Sequence, residues 1–412
     1  MRKVFLIMGI LLCSLTALAQ TPLQKNVDGA ILDAVKDFES GNRDSALKKL
    51  SAILEIIPDS DAAHYYFGAY SYSAGDIDAA EKHFMRAAEL DSTNLWYQDA
   101  LATLYTDTGR PGAAAEIYAR LLEKSPSQYH NYFILTLLGD RAGTLGKLDE
   151  AMDWYEKALE MEPEYTPAKL GKAEIFRIRR DFPAYFGILR SVAADPMIAP
   201  EPKTQFFATT FSASSQMLFP AFPADIRAIM DAMVEAHPDN DAVHTLNLEV
   251  LLALQDMEGV IRECEVIIGM DPADSAALLQ CYSLMGDCHY SLGEHQKAFD
   301  SYEKALKVNP GYCPVLNNYA YYLSQQGKKL RKALKMSKYT IEQEPDNPTY
   351  LDTYGWLLHL LGRDKDAKPV FKHAMIYGGK DSAVVTAHYA EVLRKLGEND
   401  VADYYQSLSE SK

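Results

Sequence analysis

The sequence lacks the short motifs that bring catalytic groups together. It has no H-E-x-x-H zinc motif, no G-x-S-x-G nucleophile motif, no G-x-x-x-x-G-K-[ST] phosphate loop and no glycine-rich dinucleotide turn. The 10 histidines are scattered over 412 residues, which is more typical of surface or packing residues than of catalysts. We therefore expect no catalytic site, and we expect no cofactor.

Cysteine is also scarce, and only four of the five cysteines follow residue 19. Cys281 and Cys288 stand on one expected helix, where their spacing separates them by about 10 Å, beyond the reach of a disulfide. Either could still meet Cys264 or Cys313 from a neighbouring helix. No C-x-x-C or H-x-x-x-H pair is present. The sequence therefore favours buried free thiols over a metal site that would use the nearby histidines.

Basic residues are few relative to acidic ones. Setting aside Arg2 and Lys3, which belong to an N-terminal segment, takes the 41 basic residues to 39, against 57 acidic ones. Such an acidic surface repels phosphate backbones and anionic lipid, and no basic run offsets it. We therefore expect no nucleic-acid partner, whereas a cationic partner stays open.

Long apolar runs are absent beyond the N-terminus. A basic pair precedes an apolar run over residues 4–12, and an A-x-A sequence occupies 17–19. This pattern predicts a signal peptide over 1–19, too short for a permanent membrane helix. We expect an exported protein, periplasmic or secreted. The alternative is lipid attachment at Cys13, but Leu12 precedes it where the bacterial motif requires a small residue.

The chain does contain a repeat with a period of about thirty-four residues. A glycine recurs in each copy, an alanine follows it about five residues later, and a proline often closes the unit. The glycines are Gly41, Gly75, Gly109, Gly146, Gly293, Gly327, Gly362 and Gly397; the alanines are Ala46, Ala80, Ala114, Ala151, Ala298, Ala333, Ala367 and Ala402; the prolines are Pro58, Pro126, Pro163, Pro310 and Pro345. A fixed period of this length predicts an array of one supersecondary unit.

The residues of one copy predict two antiparallel helices. Ala80, Phe84 and Ala87 fall at i, i+4 and i+7, one face of a helix. Small residues let two helices approach closely, and the aromatic residue fills the groove between them. The upstream glycine ends the preceding helix in a left-handed conformation.

This pattern resembles the tetratricopeptide repeat family. The motif of that family is legible in Tyr65, Gly68, Gly75, Ala80, Phe84 and Ala87, and again in Tyr354, Gly355, Gly362, Ala367, Phe371 and Ala374. Units start near residues 27, 61, 95, 132, 166, 207, 241, 279, 313, 348 and 383, and those near 166 and 207 are degenerate. The resemblance implies an all-α fold, a right-handed α-solenoid of stacked antiparallel helix pairs.

We predict three regions after the signal peptide. Residues 20–195 form N-terminal repeats, 196–240 a degenerate junction unit, and 241–412 C-terminal repeats with a capping helix. The segment 196–223 is rich in proline and phenylalanine, so we expect no uninterrupted helix there. Its phenylalanines could form an apolar docking site or could fill an imperfect junction between two lobes. They are Phe206, Phe207, Phe211, Phe219 and Phe222.

The first helix of each unit is expected to line the concave surface of the solenoid. Aromatic residues with polar tips, amides and carboxylates there suit the binding of an extended peptide or a partner helix; the alternative is that they fill the helix–helix interior. Some family members hold peptides through inward asparagines, which two of these residues resemble. The candidate groove residues are Tyr65, Tyr66, Tyr72, Trp96, Asp99, Asn317, Asn318, Tyr321, Asp352, Trp356 and His359.

Taken together, these features predict a non-catalytic, exported scaffold that binds a protein or peptide partner in its concave groove, in envelope assembly or secretion. The alternative is a module that binds carbohydrate or an envelope polymer, which an aromatic groove can also support. A hidden hydrolase is the third class. The family resemblance names no individual partner, because this fold hosts many functions.

Overall fold

The computed structural model describes residues 22–271 and 273–412, apart from the side chains of residues 22–25 and 213–216. Over these ranges the chain forms twenty-three α-helices and one 3-10 helix, and no strand. The helices follow one another in packed pairs, so the predicted all-α fold of paired helices is confirmed. The predicted signal peptide and Cys13 lie outside the described residues. None of the described helices is long and apolar enough to cross a membrane.

The chain divides into two compact units between Leu189 and Arg190. The predicted division into 20–195, 196–240 and 241–412 stays a prediction. The helices of unit 1 are α1 (Pro22–Glu39), α2 (Arg43–Ile56), α3 (Asp61–Ala74), α4 (Ile77–Leu90), α5 (Leu95–Asp107), α6 (Pro111–Lys124), α7 (Pro126–Tyr129), α8 (Tyr132–Thr144), α9 (Leu148–Met161), α10 (Thr166–Ile178) and α11 (Phe182–Ala194), which contains the boundary.

Unit 2 continues the same arrangement. Its helices are α12 (Pro200–Ala221), α13 (Pro223–Ala236), α14 (Asp241–Ala253), α15 (Met257–Met270), α16 (Ser275–Ser291), α17 (His295–Val308), α18 (Cys313–Gln325), α19 (Leu330–Gln343), α20 (Pro348–Leu360), α21 (Asp364–Ile376), α22 (Ala383–Lys395) and α23 (Asn399–Glu410), with a 3-10 helix at Gly379–Asp381.

In several pairs an aromatic side chain of the second helix lies against a glycine of the first helix. A Cβ atom added at Gly139 would lie 2.6 Å from Cε1 of Tyr155. Gly286 with Tyr302 repeats this contact. The alanines that begin the second helices, such as Ala151 and Ala298, are fully buried. The glycine therefore allows the close approach that the small residues predicted.

Two turns between the helices of a pair keep the left-handed backbone without a glycine. Gly75 ends α3 with φ at 84°, as the sequence predicted. At the equivalent turns after α10 and α14, Arg180 has φ at 61° and Gln255 has φ at 57°. These residues occupy a conformation that side chains with a Cβ rarely adopt. The recurring glycines of the sequence therefore did not predict these two turns.

The expectation that prolines interrupt a helix over 196–223 is wrong for most of that segment. Helix α12 runs for 22 residues from Pro200 to Ala221. Its first prolines stand in the first turn, where no intrahelical hydrogen bond is lost, and Pro220 stands in the last turn. Phe207 and Phe211 are buried within unit 2, so they pack in its core and do not form an exposed docking patch.

Candidate functional site

The first helices of successive pairs contact one another and form a face in each unit. In unit 2, α16 contacts α18, α18 contacts α20, and α20 contacts α22. In unit 1, α1 contacts α3, α3 contacts α5, and α8 contacts α10. We call these surfaces the unit 1 face and the unit 2 face. All eleven predicted groove residues stand on helices that form them.

The unit 2 face carries an aromatic stack around Trp356. The indole ring of Trp356 lies 4.9 Å from the imidazole of His359 on the same helix and 4.0 Å from that of His388 on α22, with interplanar angles of 24° and 14°. Trp356 is half-buried and also packs against the apolar cluster of α20 to α23. We call these three rings the Trp356 stack.

Carboxylates fix both imidazoles of the Trp356 stack. Nδ1 of His388 lies 2.9 Å from Oδ1 of Asp352, a buried residue one turn before Trp356. Nδ1 of His359 lies 2.5 Å from Oδ1 of Asp364, and its Nε2 lies 3.6 Å from Oε1 of Glu391. With both rings tied to acidic side chains, the orientation of the stack is set before any partner arrives.

Tyr321 borders this group on α18. Burial raises the pKa of its hydroxyl, and the negative charge of Asp352 raises it further. The structure thus brings together four of the predicted residues: Tyr321, Asp352, Trp356 and His359. The sequence did not single out His388, which contributes as much to the stack as His359 does.

The two predicted asparagines are used differently. Asn318 donates from Nδ2 to Oδ1 of Asp287 at 3.1 Å, and Asp287 also accepts the hydroxyl of Tyr302. Burial raises the pKa of Asp287, although these two hydrogen bonds oppose it. Asn317 is buried, and its Oδ1 has no partner among the described residues. The amide of Asn318 makes a hydrogen bond within the protein, and its role in holding a peptide backbone stays a prediction.

On the unit 1 face, Tyr65 is surrounded by other rings. Its ring centroid lies 5.3 Å from that of Tyr66 and 5.2 Å from that of Tyr97. Burial raises the pKa of Tyr65 to about 12, with the nearby Tyr66 and Asp99 adding to the effect. Burial alone raises the pKa of Asp99 to about 6.

The other two predicted residues of this face lie at its margins. Trp96 is 52% exposed and stands three residues before Asp99 on α5, so the two side chains leave the same side of the helix. Tyr72 donates its hydroxyl to Asp107, and burial followed by that hydrogen bond raises its pKa to about 12.

Tyr155 and Asp140 form a hydrogen bond that the sequence reasoning missed. The hydroxyl of Tyr155 on α9 donates to Oδ1 of Asp140 on α8 at 2.8 Å, in the same arrangement as Tyr302 and Asp287. In both pairs the aspartate directly follows the glycine against which the tyrosine ring packs. A Gly-Asp dipeptide in a first helix and a tyrosine in the second helix could therefore have predicted this hydrogen bond from the sequence.

The cysteines form no disulfide among the described residues. Cys264, Cys281, Cys288 and Cys313 are all buried and free. The hydrogen bond that Cys264 donates to Cys281 raises the pKa of Cys264, and burial adds to this effect. The described residues contain no group of three or more histidine, cysteine or acidic side chains that could hold a metal ion.

Two segments of the chain match family models described as tetratricopeptide repeat. One match covers residues 100–166 and the other covers residues 243–409. Together the matches cover more than half of the chain and include the helices that carry the Trp356 stack.

Curated relatives match about two thirds of the chain. "Hsp70-Hsp90 organizing protein" of Triticum aestivum is 22% identical over 64% of this chain and 44% of its own length. "Hsp70-Hsp90 organizing protein 3" of Arabidopsis thaliana is 31% identical over 64% of this chain and 45% of its own length. The chain thus spans less than half the length of these two relatives.

Among solved structures, yeast Tom70 is 13% identical, with a TM-score of 0.37 over 93% of this chain and 91% of that chain. The two family matches agree with the helix pairs, the glycine–aromatic contacts and the turns described above. The chain belongs to the tetratricopeptide repeat family.

Proposed function

We propose that the protein is a non-catalytic scaffold that binds an extended segment or a helix of another protein on the unit 2 face. The Trp356 stack is the observation that carries this proposal. It presents a half-buried indole held between two imidazoles, each of which is tied to a carboxylate.

The chemistry of this surface suits a protein partner. Tryptophan and tyrosine supply large contact areas at low cost in conformational entropy, and they dominate protein interfaces when they are partly desolvated. Asp352, Asp364 and Glu391 hold the histidines in place, so little ordering is left to occur on binding. The polar tip of Tyr321 lies beside this apolar area and can hydrogen-bond to a partner backbone.

The names of the relatives support a protein as the ligand. Both plant proteins are named as organizing proteins of Hsp70 and Hsp90, so their names state protein partners. The comparison covers less than half of each relative. We therefore carry over only the class, a protein, and not the two partners.

The proposed place of action is outside the cytoplasm, in the periplasm or beyond it, in envelope assembly or secretion. This part of the proposal rests on residues 1–19, whose basic pair, apolar run and A-x-A sequence fit an export signal. The acidic composition fits a soluble scaffold that avoids anionic lipid.

Site-specific photocrosslinking in the native cells tests the binding surface. A photoreactive phenylalanine analogue replaces Tyr321 on the unit 2 face. In a matched control it replaces Tyr339, which is 39% exposed on the second helix α19. We expect discrete protein crosslinks from position 321 and few from position 339.

Equal crosslinking at both positions would contradict the assignment to the unit 2 face. Crosslinks to glycan in place of protein would favour the carbohydrate-binding alternative.

Replacing Trp356 by alanine should weaken binding of the crosslinked partner by about 2 kcal/mol or more, as for a hot spot. The matched control is Trp154→Ala, because Trp154 lies on the second helix α9.

A further inference from the structure

Asp99 is a partly buried acidic residue of the unit 1 face that has no hydrogen-bond or ion-pair partner among the described residues. Among the described residues its carboxylate makes no hydrogen bond and no ion pair. Asp99 is half-buried on α5. A carboxylate that has lost much of its water without gaining a donor or a cation is unfavourable in its charged form.

Five other aspartates on first helices of these faces have a hydrogen-bond partner, which Asp99 lacks. Asp61 accepts the hydroxyl of Tyr97 at 3.0 Å, and Asp107 accepts the hydroxyl of Tyr72. Asp140 accepts Tyr155, Asp287 accepts Tyr302 and Asn318, and Asp352 pairs with His388. Each of these acids has a partner inside the protein, whereas the half-buried Asp99 has none among the described residues, so its charge is left for a binding partner.

The surroundings of Asp99 are aromatic. Helix α5, which carries Asp99, contacts α3, which carries Tyr65. The negative charge of Asp99 also raises the pKa of Tyr65 and of Tyr129 on α7, after the larger effect of burial. Tyr129 accepts a hydrogen bond from Nε2 of Gln128 at 3.3 Å and is buried. Trp96, one turn away on α5, exposes half of its surface.

Arg110 and Lys124, two cations on this part of the chain, are paired with other groups. Arg110, which follows α5, lies 2.8 Å from Oε2 of Glu81 and sits over the ring of Tyr105. Lys124, on α6, donates to the carbonyl oxygen of Ser92 at 3.3 Å.

We propose that Asp99 binds an arginine side chain of a protein partner, with the exposed Trp96 and the ring of Tyr65 beside the guanidinium group. A guanidinium pairs with a carboxylate through two hydrogen bonds and also stacks on aromatic rings, so it fits both features of the site. The formal net charge of −16 draws cationic segments toward the surface. This inference rests on the proposed function, since it names the chemistry that a protein partner carries.

The test measures binding of one defined probe to the full mature chain. The probe is a fluorescein-labelled peptide of nine residues, made of glycine, serine and leucine with one central arginine. The comparison peptide has citrulline in place of arginine and so keeps the shape without the charge. Fluorescence anisotropy is recorded at low ionic strength for the wild type, Asp99→Asn and Asp107→Asn. The last variant removes the same charge from the same helix at a carboxylate that already has a partner.

We expect Asp99→Asn, or citrulline in the peptide, to weaken binding at least about tenfold, while Asp107→Asn changes it by less than about twofold. The inference is overturned if the wild type fails to bind the arginine peptide, if citrulline binds equally well, or if both variants lose affinity alike. Protein crosslinks from position 321 together with any of these results would leave the proposed function standing, so the two failures are distinguishable.

Discussion

At the scale of single residues, a glycine of the first helix faces an aromatic ring of the second helix in several pairs. Gly68 faces Phe84, Gly139 faces Tyr155, and Gly355 faces Phe371. Where the ring is a tyrosine, an aspartate follows the glycine and accepts the hydroxyl; where it is Phe84, an alanine stands there instead. The polar tip of the ring and the acid are thus matched, because a buried hydroxyl needs an acceptor.

We expect Gly139→Ala to destabilise the protein by about 1–3 kcal/mol, because the added Cβ would overpack the ring of Tyr155. The matched control is Gly187→Ala. Gly187 is an exposed helical residue of unit 1 whose added Cβ would meet nothing within 4 Å. That variant should gain up to about 1 kcal/mol from its better helix propensity. Urea denaturation followed by circular dichroism measures both. Equal loss from the two variants would refute the close contact.

His83 provides an expected pH dependence. Nδ1 of His83 lies 2.8 Å from Nδ1 of His64. Burial, then the charges of His64 and Lys82, lowers the pKa of His83 from 6.5 to about 4. The unfolded chain binds the proton more readily, so this residue contributes stability above pH 6.5 that is lost as the pH falls toward 4.

We expect His83→Gln to flatten the decline in unfolding free energy across that window, by at most about 1.4 kcal/mol per pH unit. The control is His130→Gln, because His130 is exposed on the same unit. His244 contributes a slope of the opposite sign, since the hydrogen bond with Glu263 raises its pKa. Each variant is therefore compared with the wild type at every pH. An unchanged slope in His83→Gln would contradict the assignment.

At the scale of helices, the repeat period predicted most of the starts. Helices begin at Asp61, Leu95, Tyr132, Cys313 and Pro348, near the units that the glycines and alanines mark. The period could not reveal left-handed turns without glycine, as at Gln255, because nothing in the local sequence requires them. It also misjudged α12, since prolines in the first turn of a helix cost little.

The end of α11 depends on a side chain that the sequence did not single out. Lys203, on α12, is 2% exposed. Its Nζ donates to the carbonyl oxygens of Ala193 at 3.0 Å and Asp195 at 2.7 Å. Lys203 therefore supplies donors to carbonyl groups that the end of a helix leaves unpaired.

Replacing Lys203 by methionine keeps the aliphatic stem and removes these donors. We expect a loss of about 1–3 kcal/mol, because one buried and one partly buried carbonyl group lose their donor. Thermal unfolding followed by circular dichroism provides the measurement. The exposed Lys307 on α17 offers the control, and Lys307→Met should change stability by less than about 0.5 kcal/mol. A neutral Lys203→Met would show that these hydrogen bonds are dispensable.

At the scale of the molecule, side-chain hydrogen bonds on the unit 1 face and the unit 2 face join residues about one repeat apart in sequence. Asn318 reaches Asp287, 31 residues away, His388 reaches Asp352, 36 residues away, and Tyr72 reaches Asp107, 35 residues away. The sequence could place these residues on first helices. It could not tell which of them bond to one another, because that depends on side-chain orientation across the stack. The binding roles of the eleven groove residues stay predictions.

Processing of the N-terminus is the prediction for the whole chain. Intact-mass measurement of the exported protein should give an N-terminus at Gln20 or close to it, with no lipid. The physical reason is the short apolar run before the A-x-A sequence. A diacylated Cys13 would contradict this expectation and would make the protein membrane-anchored.

The position of Tyr155 constrains how such an array could have grown by duplication. Its ring lies against Gly139 of its own pair and also against Gly171 on α10, the first helix of the next pair, where an added Cβ would overlap the ring. If a duplicated segment were inserted after α9, the residue that took the position of Gly171 would lie beside this ring. An insertion that brought a glycine to that position would leave the ring in place, whereas a larger residue there would require the ring or the helix to shift.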